Sequence, residues 1–484
     1  MKTLRERLSE LEIITSRLEP TELERDEYLA QINNLARDFL NEISSSKTYS
    51  DKKPETDLLR ITSKVNSLEK LIKIFDSEVV QKGINCASGG HFGYIPGGGL
   101  YLSSLADYLA SVTNEYAGLY YASPGGVAIE NEVLNWMKTL FGFPENSTGT
   151  LTSGGSIANL IALTAARDKH KIKPEKIRKS VIYLSPQTHH CIHKALKIIG
   201  LEDIILRYSL IDKFFRIDPK ALDQQIRQDL TDGLNPFLIV ATAGTTDTGA
   251  VDPISEIGNI ARSYRLWYHI DAAYGGFFIL TRQKKEMLSG LKIADSLVID
   301  PHKGMFIPYG TGAVIIKDRL SVTHSHQYTA NYMQDSMNSG QEIDNPADVS
   351  PELTRHFRAL RIWLPLQVYG IKPFIHCLEE KLLLTKYFRT RLKESGFRAG
   401  PKPDLSVSYF WYPSRNIDED IYNRKLLELM HKDGRVFFSS TIIEGKFVIR
   451  LAILSFRTKV SHVDKAMELL DHTRSRMEKD YNFK

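Results

Sequence analysis

Apolar positions in the first eighty residues recur with a helical period. Leu29, Ile32, Leu35, Leu40 and Ile43 approximate one stripe, and Glu19-Pro20-Thr21-Glu22 ahead of them carries the proline and carboxylates of a helix start. Ser45–Pro54 is a polar break, and Asp57–Val80 is a second amphipathic segment. Alone, such a hairpin buries little, so it is expected to pack on the rest of the chain or on another subunit. From residue 83 the pattern changes. Gly83–Gly99 is rich in glycine and predicts a loop. Beyond it, short continuous apolar runs predict strands at Ser180–Leu184, Phe237–Thr242, Leu266–Ile270, Ser296–Ile299 and Ala313–Ile316. Helical stretches such as Ser156–Arg167, His190–Ile199 and Ile254–Tyr264 lie between them. The alternation predicts an α/β fold with a mostly parallel sheet covered on both faces. Residues 317–350 are polar and predict a long, mobile functional loop. Arg355–Tyr369 predicts a helix, and Ser406–Tyr412 and Phe447–Ile453 predict strands of a small α+β domain. The expected division is a helical segment over 1–82 that packs on the partner subunit, a large domain over 83–365 and a small one over 366–484.

Composition narrows the function classes. The 484 residues hold 63 Lys and Arg against 58 Asp and Glu, a formal charge of +5, and are 42% apolar. That is ample apolar material for packed cores and excludes disorder as a description of the whole chain. The basic stretch Lys169–Lys179 reads as a solvated surface, and no nucleic-acid module is present, so no nucleic-acid partner is expected. The amino terminus is charged with no apolar signal core, and the longest apolar runs, such as Phe237–Ala243, fall far short of the roughly 20 residues of a membrane span. With three widely spaced cysteines added, a cytoplasmic protein with no membrane partner is expected.

Ligands of an open parallel sheet collect beyond the carboxyl ends of its strands, and four such ends carry unusual residues. Thr152-Ser-Gly-Gly-Ser-Ile-Ala-Asn159 opens a helix with a glycine pair. It is either a capped helix start with Ser156 as cap or an anion site. Tyr268-His-Ile-Asp-Ala-Ala-Tyr-Gly-Gly276 places Asp271 at a strand end, as a cap or as a carboxylate beside a flat ligand for which Ala273 leaves room. Asp300-Pro-His-Lys-Gly304 places Lys303 directly after a buried strand, either as a surface lysine or as one whose lowered pKa suits a Schiff base. Thr188-His-His-Cys-Ile-His193 offers imidazoles but no complete metal set, so no metal is expected and one ring is read as stacking on something planar.

Jointly these features fit pyridoxal 5'-phosphate, which needs an aldehyde-accepting lysine, a carboxylate against its pyridine nitrogen and a phosphate cup. Lys303, Asp271 and Gly154–Ser156 supply the three, and Ala243-Gly-Thr-Thr246 could place a hydroxyl at the ring edge. The sequence resembles the group II pyridoxal-phosphate-dependent amino-acid decarboxylases, among them the aromatic-L-amino-acid enzymes. The resemblance rests on Tyr121–Pro124 (YASP), Thr152–Lys169, Gln187–His189, Ala241–Thr246 (ATAGTT), His269–Gly275 (HIDAAYG), Asp295–Lys303 (DSLVIDPHK), Arg355–Trp363 (RHFRALRIW) and Lys446–Thr458. It implies the fold-type-I transferase architecture with a seven-stranded sheet, and a homodimer with active sites at the interface. By the same resemblance, Lys303 is the Schiff-base lysine, Asp271 the pyridinium partner and His189 the stacking residue. Gly155, Ser156 and His302 hold the phosphate, while Thr246 and Ala273 flank the ring. The family's loop tyrosine, implied to protonate the substrate carbon, corresponds to Tyr332 in preference to Tyr328. One departure is Asp300, where the family commonly has asparagine.

The expected reaction is therefore pyridoxal-phosphate-dependent decarboxylation of a small L-amino acid to the amine and CO₂. Aromatic substrates are favoured by the apolar residues Phe92, Tyr94, Ile95 and Tyr101 at the expected entrance. The alternatives are another carbon–carbon lyase reaction, oxidative deamination, a non-aromatic substrate, or a scaffold without catalysis.

Overall fold

The computed structural model describes residues 2–326, 345–414 and 417–480. Its centre is a seven-stranded sheet: β1 (Thr148–Thr152), β2 (Ser180–Leu184), β3 (Ile205–Tyr208), β4 (Asn235–Thr242), β5 (Trp267–Asp271), β6 (Ser296–Ile299) and β7 (Gly312–Ile316). The order is β1-β7-β6-β5-β4-β2-β3. Strand β7 runs antiparallel to both neighbours, and every other pairing is parallel. Side chains alternate across the sheet as the pleat requires. Val181, Tyr183, Ile239, Ala241, Ile270 and Leu297 pack on one face with the helices Pro124–Phe141, Pro219–Thr231 and Ile254–Ser263. Ile182, Leu184, Leu238, Val240 and Val298 pack on the other with Gly155–Lys169 and Cys191–Ile198. Both faces are covered, which is why these strands read as unbroken apolar runs.

A second sheet of four antiparallel strands follows: β8 (Arg398–Ala399), β9 (Val407–Trp411), β10 (Ser439–Ile443) and β11 (Lys446–Ala452), in the order β8-β9-β11-β10. Phe410, Phe438, Ile449 and Leu451 bury its inner face with residues of the helices Lys372–Glu394, Glu419–Asp433 and Val460–Asp480.

Several elements differ from the sequence expectation. Strand β1 is threonine-rich and β3 spans only four residues, so neither gives an apolar run. The helix expected over Arg355–Tyr369 begins at Leu360, because Arg355 and Arg358 are drawn into ion pairs with Glu130 and Glu352. In Asp57–Val80 the α-helix covers Leu68–Phe75, capped by Ser67 and continued by a wide turn over Asp76–Val80. The polar stretch 317–350 is not loop throughout: Arg319–His326 is helical and Pro346–Val349 makes a short helical turn. Tyr328 and Tyr332 lie outside the described residues.

At the amino terminus, Leu4–Thr15 and Glu22–Glu42 are helices, each opened by a threonine cap with a glutamate three residues on. Neither helix has a buried residue.

Candidate active site

Register fixes the site. Thr242 of β4 pairs with Asp271 of β5, and Asp271 with Val298 of β6, so these strands end together. Their carboxyl ends, with the helix starts after β1 and β2, enclose a cavity of about 270 Å³. It is lined by Gly155, Ser156, His189, Thr246, Asp271, Ala273, His302 and Lys303, all eight of the cofactor-binding residues expected from sequence.

Lys303 sits in the single helical turn Pro301–Gly304 after β6. Its Nζ lies 2.9 Å from Asp300 Oδ2. Burial alone would push the amine down, but the Asp300 carboxylate, helped by Asp271, outweighs it and holds Lys303 above the ordinary lysine value. The expectation of a lowered pKa is thus reversed. The adjacent Asp300 carboxylate is the reason.

Asp271 closes β5. Its Oδ1 accepts from the Ala273 amide at 3.1 Å and its Oδ2 from Asn159 Nδ2 at 3.2 Å. Behind Asn159 runs a buried polar chain. His269 Nε2 meets Asn159 Oδ1 at 2.7 Å, His269 Nδ1 meets Ser296 Oγ at 2.8 Å, and Trp267 Nε1 donates to Ser296 Oγ at 2.8 Å. A carboxylate only accepts, so the Asn159 amide nitrogen faces Asp271 and its oxygen faces His269. His269 then donates from Nε2 and accepts at Nδ1. Burial keeps that imidazole neutral, pulling it down to about 4.

His189 stands in the turn between β2 and the helix Cys191–Ile198, its Nδ1 accepting from the Cys191 amide at 3.3 Å. Burial pulls this imidazole down too, with Asp271 acting against it. His190 lies beside it, ring centroids 4.1 Å apart and tilted by 40°, and His193 Nε2 pairs with the Tyr208 hydroxyl at 2.8 Å. No group of three metal-ligating residues occurs among the described residues.

The glycine cup leads from β1 into Gly155–Lys169. Gly154, not Ser156, holds the cap position, at φ +155°, a backbone that favours glycine. A Cβ on Gly155 would stand 3.0 Å from Asp300 Oδ2 and 3.3 Å from Ala273 Cβ, so a side chain there would close the cup. Amides at a helix start have no acceptor within the helix and can hold an anion. His302 flanks the cup, its Nδ1 donating to the Thr311 carbonyl at 2.7 Å. With a lysine, a carboxylate, an imidazole and a glycine cradle at one cleft, the donor set fits pyridoxal phosphate.

Sequence reasoning missed Asn159, Cys191, Thr242 and Tyr274, which also line the cavity. Cys191 is no nucleophile, since burial pushes its thiol up to about 12. The four residues expected at an aromatic entrance sit elsewhere within this chain. Phe92 stacks on Phe438 in the small domain, and Ile95 belongs to the large core. Tyr94 and Tyr101 are exposed, and none of the four lines the cavity.

Residues 57–412 match the model of the pyridoxal-dependent decarboxylase conserved domain. An aromatic-L-amino-acid decarboxylase of Bacillus atrophaeus is 34% identical over 383 residues, 78% of this chain and 79% of that one. A phenylacetaldehyde synthase of Arabidopsis thaliana is 28% identical, covering 79% and 81%. The crystal structure of Oryza sativa TDC with PLP and tryptamine superposes with a TM-score of 0.90 at 24% identity, covering 95% of this chain and 99% of that one.

Proposed function

The chain belongs to the pyridoxal-dependent decarboxylase family, a carboxy-lyase that uses pyridoxal phosphate, and from that premise we propose that its substrate is an aromatic L-amino acid, released as the amine and CO₂. The observation that carries the reading is the convergence of Lys303, Asp271, His189 and the glycine cup on one cavity. When bound, the cofactor supplies an electron-accepting ring for the pair left behind by CO₂. Lys303 would hold the cofactor through its amine and yield that place to the substrate amine. Asp271, held by Asn159 and the Ala273 amide, keeps a proton on the pyridine nitrogen. His189, Thr246 and Ala273 would hold the ring, and Gly155, Ser156 and His302 would hold the phosphate. Tyr332 returns a proton to the substrate carbon.

A homodimer is part of the proposal. Two capped helices without a buried residue cannot derive their stability from propensity alone. An apolar groove of about 700 Å³, lined by Ile32, Leu35, Phe39, Ile72 and Phe75 among others, invites a second copy of residues 1–82. The division at 82 and 365 and a cytoplasmic location, favoured by three unpaired cysteines, complete the reading. Among the described residues no helix is long and apolar enough to cross a membrane.

The test is a screen of the twenty amino acids with added pyridoxal phosphate, following CO₂, amine, aldehyde, ammonia and peroxide. Amine and CO₂ from an aromatic substrate support the proposal, and Lys303→Ala should abolish turnover. Aldehyde with ammonia and peroxide would assign the second reading, oxidative deamination, which the phenylacetaldehyde synthase relative favours.

A further inference from the structure

Asp300 adds to the cleft a second carboxylate beside Asp271. It is 1% exposed, and its Oδ1 is buried with no hydrogen-bond partner among the described residues. A Cβ on Gly155 would stand 3.3 Å from that oxygen and a Cβ on Gly312 2.7 Å from it. The carboxylate therefore lies against the start of the helix Gly155–Lys169 and the first residue of β7. Its other oxygen faces Lys303 Nζ at 2.9 Å and His302 Nε2 at 3.6 Å.

No other cation relieves this charge. His302 donates its Nδ1 hydrogen to the Thr311 carbonyl, which turns the bare Nε2 toward the carboxylate. Burial holds that imidazole below its ordinary value, so it stays neutral. Arg361, the nearby guanidinium, is spent on both oxygens of Asp107 at 2.7 Å each. Lys303 is the only cation touching Asp300 among the described residues, and its amine is the group that the cofactor itself takes.

We propose that Asp300 sets a like charge against the phosphate cup and so weakens this chain's hold on pyridoxal phosphate. The inference rests on seating the phosphate at Gly154–Ser156. A like charge near it, at an effective dielectric of ~20, costs more than a factor of ten in affinity. An amide at position 300 would keep the shape and could donate to the phosphate instead.

The experiment strips the full-length holoenzyme by dialysis against hydroxylamine and titrates it with pyridoxal phosphate and, separately, with pyridoxal. Asp300→Asn should bind pyridoxal phosphate about tenfold or more tightly than the unaltered chain, with a much smaller gain for pyridoxal, which has no phosphate. Asp300→Ser carries the same expectation should the asparagine variant fail to fold. The thermal shift on adding pyridoxal phosphate should likewise be larger in the variant. Equal gains for the two ligands would mean that Asp300 acts through Lys303 alone and would overturn the proposal, as would unchanged or weaker binding. Failure of the underlying reading looks different: the unaltered chain would take up no pyridoxal phosphate, or borohydride labelling would map away from Lys303.

Discussion

Asn159 decides how Asp271 is presented. It is fully buried, donates to Asp271 Oδ2 and accepts from His269 Nε2. Asn159→Ala removes a donor from one group and an acceptor from the other, leaving a buried N–H unpaired at a cost of about 1–3 kcal/mol. The expected outcome is a stability loss of that size by urea titration, together with at least a tenfold drop in turnover. A variant with normal turnover would show that Asp271 needs no such support. His269 adds a pH dependence. Its pKa falls from 6.5 to about 4 on burial. The unfolded chain takes up this proton below pH 6.5 and the folded chain refuses it until about 4. Stability from the neutral imidazole is therefore complete above 6.5 and is lost as pH falls toward 4, by roughly 3 kcal/mol at the lower end. Urea midpoints of the cofactor-free protein at several pH values should fall through this window, and His269→Gln should flatten the fall. An unchanged slope would place the proton elsewhere. Asp271 was legible in the sequence because it ends an apolar run ahead of small residues, and Lys303 and His189 because each lies in a short polar turn directly after an apolar strand. Asn159 was not, because it sits inside a helix, where only a polar residue on an otherwise apolar face hints at it.

Between elements, the pair Glu130–Arg355 ties three pieces of chain together. The ion pair is 3.0 Å long and both side chains are wholly buried. Arg355 also donates to Thr150 Oγ1 at 2.8 Å and to the Leu151 carbonyl, and Glu130 accepts from the Leu151 amide at 3.1 Å. The helix Pro124–Phe141, strand β1 and the approach to Leu360–Tyr369 are thereby joined just before the glycine cup. Burial pushes the Glu130 carboxyl up, with Arg355 acting against it, so the glutamate depends on its partner. Arg355→Met should cost about 3–5 kcal/mol, whereas Glu130→Leu with Arg355→Met should cost much less, because no charge is then stranded. Urea unfolding of both variants checks this, and a single variant as stable as the parent would refute it. The same pair shows why element boundaries were harder to read than element types. The doubly covered strands β2, β4, β5 and β6 announce themselves as apolar runs. The start of Leu360–Tyr369 is set instead by a long-range partner more than 200 residues earlier, which no local pattern records.

The whole molecule poses the remaining question, because the site sits in the large domain while the least-buried apolar residues sit at the amino terminus. Leu29 is 41% exposed, Ile32 50% and Phe75 50%, although all three lie on amphipathic segments whose polar faces are well capped. Scattered single apolar side chains on a surface need no explanation, but a continuous groove lined by two elements does. The small domain is already anchored without it: the Tyr274 hydroxyl pairs with Ser406 Oγ at 2.8 Å and accepts from the Ser406 amide at 2.9 Å, and Arg450 Nε reaches the Thr246 carbonyl at 2.7 Å. These bonds tie the segment after β5 and the loop after β4 to the second sheet from within one chain. The proposed homodimer gives the amino-terminal groove its occupant. Sedimentation velocity of the unaltered chain should give a dimer, and Phe75→Asp, which puts a charge in the groove while leaving the cleft untouched, should shift it to monomer with a loss of turnover that pyridoxal phosphate does not restore. An unaltered chain that sediments as a fully active monomer would refute the dimer and leave the groove without an occupant.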